Sequence, residues 1–228
     1  MNTSADKSLN KIEFWDRKII DWDNARYSNH FLSMMTGSVN NRMLMAFNLL
    51  NKFSRDKLVV EAGCGTARMM PLLLKSGAKK YMGIDFSARA VEAARDRAKE
   101  QGVWAKVDLI CEDIINLKTI KTDLFFSLGL LDWLTDDEMY SLLKNVETKY
   151  YLHAFSENKM NIQHFTHRLY VYLKYGYKNQ KYVPHYYTRE HVSSLFSRCG
   201  LETPEYFTNR KMSFSCFAHN LPGSFDES

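Results

Sequence analysis

The sequence predicts an α/β protein: a mostly parallel, seven-stranded sheet with helices on both faces and a C-terminal β-hairpin. Three observations predict it. Short apolar runs alternate with helix-like stretches between residues 58 and 155, which is the rhythm of βαβ crossovers. The first apolar run ends in a glycine-containing bend, EAGCGTA, the usual joint between a buried strand and a ligand-facing helix. The final stretch, LETPEYFTNRKMSFSCFAHN, reads as two strands doubling back on each other.

The elements follow in order. Residues 1–50 form an N-terminal helical cap, in which Phe14, Trp15, Ile19 and Trp22 fall on one helical stripe. Residues 51–155 hold the core. Leu58, Val59 and Val60 read as a buried strand, and 69–75 as a helix that tolerates Pro71 in its first turn. Residues 80–85 (KYMGID) are the second strand. Ser87 is a good N-cap for a helix to about residue 101, with Ala90, Val91, Ala94 and Ala98 facing inward. Residues 107–111 and 123–128 supply strands three and four. Thr135 caps a helix through about residue 146, with two acids in its first turn, and 149–155 is the fifth strand. Residues 156–187 then break the rhythm as an insertion, and 188–228 return to a helix and the hairpin.

Composition bounds the function. A chain of 228 residues with a hydrophobic fraction of 45% supports one full α/β domain. No apolar run approaches the ~18 to 20 residues of a membrane helix. The N-terminus, MNTSADKSLNK, lacks the apolar segment of a secretory signal. Cys64, Cys111, Cys199 and Cys216 form no CxxC pair, so neither a disulfide framework nor a metal site is expected, and a cytoplasmic location is. A net charge of +5 does not by itself indicate nucleic acid.

The chemistry of the bend comes from its neighbours. Gly63 and Gly65 let backbone approach a ligand without an intervening Cβ. Asp85 ends the second strand twenty residues after Gly65, where an acid accepts from ribose hydroxyls. Asp113 follows the third strand and is expected beside Asp85 at the carboxyl edge of the sheet. A nicotinamide-type loop requires GxGxxG, but Arg68 stands at the third glycine, and no GK followed by Ser or Thr marks a phosphate loop. Two acids without a phosphate-binding lysine describe a nucleoside with no phosphate tail.

With EAGCGTA, GIDFS, CEDI and DLFFSLGLLDWL in view, residues 55–155 resemble class I S-adenosylmethionine-dependent methyltransferases; the rest of the chain matches them in layout only. The resemblance implies a Rossmann-like sheet and S-adenosyl-L-methionine as cofactor. It places Glu61, Ala62, Gly63, Cys64 and Gly65 against the methionine part, with Glu61 acting largely through backbone and water. Asp85 then holds the ribose and Phe86 packs on adenine. Asp113 bonds the adenine amino group, Ile114 covers the ring, and Ser127 and Leu128 line the other side. One departure is Ala67 at the loop's usual third glycine. In this family, aromatic residues on N-terminal helices close over the cofactor, which makes Trp22, Arg26 and Tyr27 candidates. Cys64 could look like a nucleophile, but a small packing residue is the plainer reading because no base lies near it in sequence.

The acceptor side is less determined. His153, at the end of the fifth strand, is a candidate general base, weighed against an ordinary packing histidine. Trp133 could cap the substrate pocket or pack the helix that follows. The insertion carries six Lys or Arg against two acids over 156–190, and seven of the thirteen tyrosines fall between Tyr170 and Tyr187. His164, Arg168, Tyr172 and Tyr186 are therefore substrate candidates, suited to an anionic or ring-bearing molecule. A solvated lid or a homodimer contact is the alternative. His164 and His167 have metal-like spacing but no third ligand, so no metal is expected. The (D/N)PP(Y/F) signature of amino methylation on bases is replaced by SLGL. The expected activity is methyl transfer to O or N of a small-molecule acceptor, such as a sugar, a lipid-headgroup intermediate or a tetrapyrrole carboxylate. An RNA or protein methyltransferase gripping its polymer with the basic insertion, and a non-catalytic S-adenosylmethionine-binding partner subunit, are the alternatives.

Overall fold

Strand β1 (Leu58–Ala62) lies in the middle of the sheet, and its apolar run is continuous because helices cover both faces. Val59 belongs to one apolar layer and Val60 to the other. The computed structural model describes residues 11–19, 30–159, 184–212 and 215–223, and for 30–39 the backbone alone.

Around β1 stand β2 (Lys80–Asp85), β3 (Val107–Cys111), β4 (Ile120–Leu128), β5 (Val146–Ser156), β6 (Glu205–Thr208) and β7 (Ser215–His219). Their order is β3-β2-β1-β4-β5-β7-β6. Strands β1 to β5 pair in parallel, and β5-β7-β6 are antiparallel. The helices are α1 (11–19), α2 (His30–Ser54), α3 (Met69–Lys75), α4 (Ala88–Glu100), α5 (Asp136–Lys144) and α6 (Arg189–Arg198). One layer packs Ala46, Leu50, Leu73 and Ala94 of α2, α3 and α4 on the sheet; the other packs Met139, Leu142, Leu195 and Phe196 of α5 and α6.

Two strands outrun their apolar cores. β4 begins at Ile120 and β5 at Val146, because their parallel ladder runs from Ile120↔Val146 to Leu128↔Ala154 and takes in polar residues that alternate outward. α5 stops at Lys144 accordingly. Its start follows from the sequence: the Thr135 side chain accepts from Glu138 N while Glu138 reaches back to Thr135 N at 2.8 Å, a closed capping box.

The strand order fixes where a ligand can sit. From β1 the chain builds outward through β2 and β3, then crosses back to β4 on the opposite side. The loops after β1 and β4 therefore diverge and leave a crevice at the carboxyl edge.

Candidate functional site

The crevice starts at the bend after β1. Gly63 (φ 63°) and Gly65 (φ 53°) are left-handed, and so is Ala67 (φ 51°), a conformation that disfavours a Cβ. A Cβ on Gly63 would lie 3.0 Å from Leu130 Cδ1. Cys64 N donates to Ile84 O at 3.1 Å, tying the bend to β2, and Gly83 clears space for the Cys64 side chain. Arg97 of α4 grips the far side: its Nε donates to Thr66 O at 2.8 Å. The Cys64 thiol is buried, and that burial drives its pKa well up, so it packs and stays protonated.

Two acids stand at neighbouring strand tips as the spacing predicts. Asp85 Oδ2 accepts from Gly65 N at 2.8 Å and Oδ1 from Ser87 N at 2.9 Å. One carboxylate thus orients both the glycine bend and the start of α4. Burial raises its pKa, the two N–H groups pull it back, and the carboxylates of Asp16 and Asp113 push it up again. Asp113 caps a three-ten turn (Ile114–Asn116) through Ile115 N at 3.3 Å, with Ile114 buried behind it. Glu61 points elsewhere. Its carboxyl is buried and accepts from the Tyr81 hydroxyl, and burial pushes its pKa up to about 8.

Helix α1 lies along this edge. Ser87 Oγ donates to Asp16 Oδ1 at 2.5 Å, and Arg89 Nη1 to Asp16 O at 3.1 Å. Lys11 pairs with Glu138 of α5. Ile19 Cδ1 lies 3.4 Å from where a Cβ would stand on Gly65, so an apolar side chain covers the bare backbone. Trp15 meets Trp133 edge-on at 4.9 Å between ring centres, with Phe14 against both. Trp133 therefore packs the cap helix.

The tips of β4 and β5 differ from expectation. β5 runs on to Ser156, so His153 lies inside the strand, fully buried among Phe125, Tyr151 and Phe196. Burial lowers its pKa to about 3, its Nδ1 bonds Ser127 Oγ at 2.9 Å, and its Nε2 meets no hydrogen-bond partner among the described residues. Among the described residues this is an enclosed core histidine, the packing alternative weighed for it in the sequence. Ser127 is likewise fully buried, so its hydroxyl serves His153 and does not line the crevice. Leu128 is half-buried. Beyond it, the buried Asp132 accepts from Ser156 N at 2.6 Å and Ser156 Oγ at 2.8 Å, and Asp132 O accepts from His185 N at 2.6 Å. Burial carries the Asp132 pKa up to about 6, against the pull of those bonds and of Arg42. Arg42 of α2 donates from Nη2 to Leu128 O at 3.4 Å.

The structure thus gathers Gly63, Gly65, Asp85, Asp113 and Ile114 along one edge, with Ala62 and Cys64 buried beneath and Phe86 half-buried beside Asp85. Tyr186 is half-buried, while its neighbour Tyr187 is buried and donates its hydroxyl to Leu134 O at 2.6 Å. Trp22, Arg26, Tyr27, His164, His167, Arg168 and Tyr172 lie outside the described residues, as does 160–183 of the expected insertion. Sequence reasoning missed Asp16, Arg42 and Arg97. Only Asp16 left a trace, as a polar residue beside the aromatic stripe.

Comparison with known proteins bears on this edge. Residues 59–148 match the family description "Methyltransferase domain". The fold is similar to magnesium protoporphyrin IX methyltransferase from Synechocystis PCC 6803 with bound SAH: 14% identity, 94% of this chain, 98% of that one, TM-score 0.72. It is similar to the DhpI–SAH complex at 13% identity over 95% and 97% of the two chains, TM-score 0.67. Ribosomal protein L11 methyltransferase from Escherichia coli O8 is 41% identical over 54 residues, 24% of this chain. That match spans 18% of the relative's own length.

Proposed function

We propose that this chain, whose residues 59–148 match the description "Methyltransferase domain", moves a methyl group from S-adenosylmethionine to an oxygen or nitrogen of a small-molecule acceptor. One observation carries the reading. Asp85, its two oxygens steered by Gly65 N and Ser87 N, stands at the tip of β2 beside the left-handed glycine bend that follows β1.

The residues fit the cofactor. Each Asp85 oxygen accepts one N–H and keeps capacity for a ribose hydroxyl. Asp113 and Ile114 offer an acceptor and an apolar surface for adenine. When bound, the cofactor supplies a methyl group on a positively charged sulfur, already activated toward a nucleophile. The chain's own work is then alignment and exclusion of water. Helix α1 contributes Trp15 and Ile19 as apolar cover, and Asp132 fixes the tip of β5 through Ser156. With His153 neutral and enclosed, the reading assigns no proton transfer to it.

The small-molecule reading is supported by similarity in fold to magnesium protoporphyrin IX methyltransferase over nearly the whole of both chains, and to mitomycin 7-O-methyltransferase at 13% identity over 87% of this chain and 59% of that one, TM-score 0.64. The basic, tyrosine-rich 156–187 stretch favours an anionic or ring-bearing acceptor. A protein acceptor is the second reading, favoured by the L11 methyltransferase match. Labelled S-adenosylmethionine incubated with the small-molecule and macromolecular fractions of a cell extract separates them. Label in the small-molecule fraction supports the first, and label in protein the second. Calorimetry with S-adenosylhomocysteine and NAD tests both: binding of NAD alone rejects them.

A further inference from the structure

Trp104 stands in the three-ten turn that leads into β3 (Trp104–Lys106) and is 45% exposed, on the edge of the sheet opposite the crevice. A single exposed ring is ordinary; its neighbours are not. Lys75 Nζ donates to Gln101 Oε1 at 2.7 Å, which ties the end of α3 to the chain leaving α4, and Lys99 Nζ lies 6.0 Å from the indole centre. Lys79 N donates to Lys57 O at 3.0 Å and Arg55 bridges to Ala78, so the starts of β1 and β2 meet the end of α2 at this edge. Arg55, Lys75, Lys79 and Lys106 are exposed. Asp108 is taken by Lys80 at 2.6 Å, Asp123 accepts from Leu58 N at 2.9 Å, and Asp96 stands 3.5 Å from Lys99. Asp56 and Glu100 lie among the cations.

Helix dipoles account for Lys75 and Lys99, which sit in the last turns of α3 and α4. They do not account for Lys57, Lys79 and Lys106, which lie just before strands. The crevice edge carries Asp16, Asp85, Glu112 and Asp113 instead, so acids gather at one edge of the sheet and lysines at the other. An indole among lysines on the flat edge of a sheet suits a bilayer surface. The ring enters the headgroup layer, and the ammonium groups meet anionic phosphates. A single nucleic-acid strand asks for successive bare rings. Tyr81 of β2 is buried, and Tyr150 of β5 is half-buried against Phe53 with Lys149 5.2 Å from its ring.

We propose that this edge, centred on Trp104, docks on an anionic lipid bilayer, with the crevice facing away from the lipid. The test is co-sedimentation of the full chain with vesicles of phosphatidylglycerol in phosphatidylcholine, with vesicles of phosphatidylcholine alone, and competition by polyuridylate. Variants are Trp104→Ala and the triple Lys75→Gln/Lys79→Gln/Lys106→Gln, with thermal melts as the check on folding. Wild type should prefer the anionic vesicles by about a hundredfold and lose them in high salt. The triple variant should lose roughly a hundredfold, and Trp104→Ala about tenfold. Brominated lipid should quench wild-type fluorescence more than that of Trp104→Phe. Equal binding to both vesicle types, no binding to the anionic ones, or a folded triple variant that binds like wild type overturns the proposal. So does tighter binding to polyuridylate than to vesicles, which assigns the edge to nucleic acid. If the triple variant melts early, the salt series on the unaltered protein decides: binding that survives high salt overturns the proposal, and binding that is lost supports it.

Discussion

Replacing Glu61 by Gln should abolish a pH dependence of stability that the wild type owes to one buried acid. The Glu61 carboxyl is 4% exposed, and burial moves its pKa from 4.5 to about 8, with the Tyr81 hydroxyl opposing and Asp85 reinforcing the shift. The folded protein therefore keeps this proton to about pH 8, while the unfolded chain releases it near 4.5. Between those values the native state holds one more proton, so stability falls as pH rises, by about 1.36 kcal/mol per unit. Asp132, raised to about 6, has largely finished titrating by pH 6.5, and His153, half protonated in the unfolded chain at pH 6.5, opposes the fall by only about 0.4 kcal/mol above it. From pH 6.5 to 8 Glu61 costs about 1.5 kcal/mol, or roughly 3–6 °C in melting temperature for a chain of this size. The amide of Glu61→Gln has no charge to acquire, so its melting curve should lack that fall. Its absolute stability is not the readout, because the new NH₂ group is buried beside Tyr81. Scanning calorimetry at half-unit steps decides the matter. A wild type flat over that window, or a Gln variant that declines in parallel, refutes the assignment of the buried proton to Glu61.

Three other outcomes are expected. Asp85→Ala should weaken S-adenosylhomocysteine about ten- to a hundredfold in calorimetry, because ribose contacts and the anchor on Gly65 N go together. His153→Ala should cost roughly 2–4 kcal/mol of stability, read by urea unfolding, with kcat unchanged while the protein is folded. It should also remove a loss of stability on acidification from pH 6.5 toward 3, since the unfolded chain takes up a proton that the folded imidazole resists. Gly83→Ala would set a Cβ 2.9 Å from both Cys64 Sγ and Leu109 Cδ2, and overpacking should lower stability by roughly 1–3 kcal/mol. Adding Cys64→Ala should recover part of that loss in a double-mutant cycle.

What the sequence revealed, and what it hid, follows the range of the forces involved. β1, β2 and β3 were legible almost to the residue because each is a short, mainly apolar run with glycine or an acid at or just past its end. Asp85 and Asp113 were legible because they sit at strand ends, which spacing along the chain locates. The side-chain directions of Ser127 and His153 were not. They are directly paired across β4 and β5 and share one face, and near a strand end the alternation of faces depends on a register that only the ladder sets. Arg42 was hidden for another reason. It comes to Leu128 from 86 residues away on a cap helix whose placement is decided by tertiary packing. Ala67 at φ 51° shows the reverse case: the sequence pattern flagged a missing glycine, and the backbone keeps the glycine-like turn regardless.

The double grip of Asp85 on Gly65 and Ser87 has a kinetic consequence. Asp85 is held by the protein's own N–H groups, so a nucleoside bound as proposed need not orient that carboxylate. Related nucleosides should therefore arrive at closely similar rates and differ chiefly in how long they stay. Residence time, more than capture, would decide which of them this protein keeps.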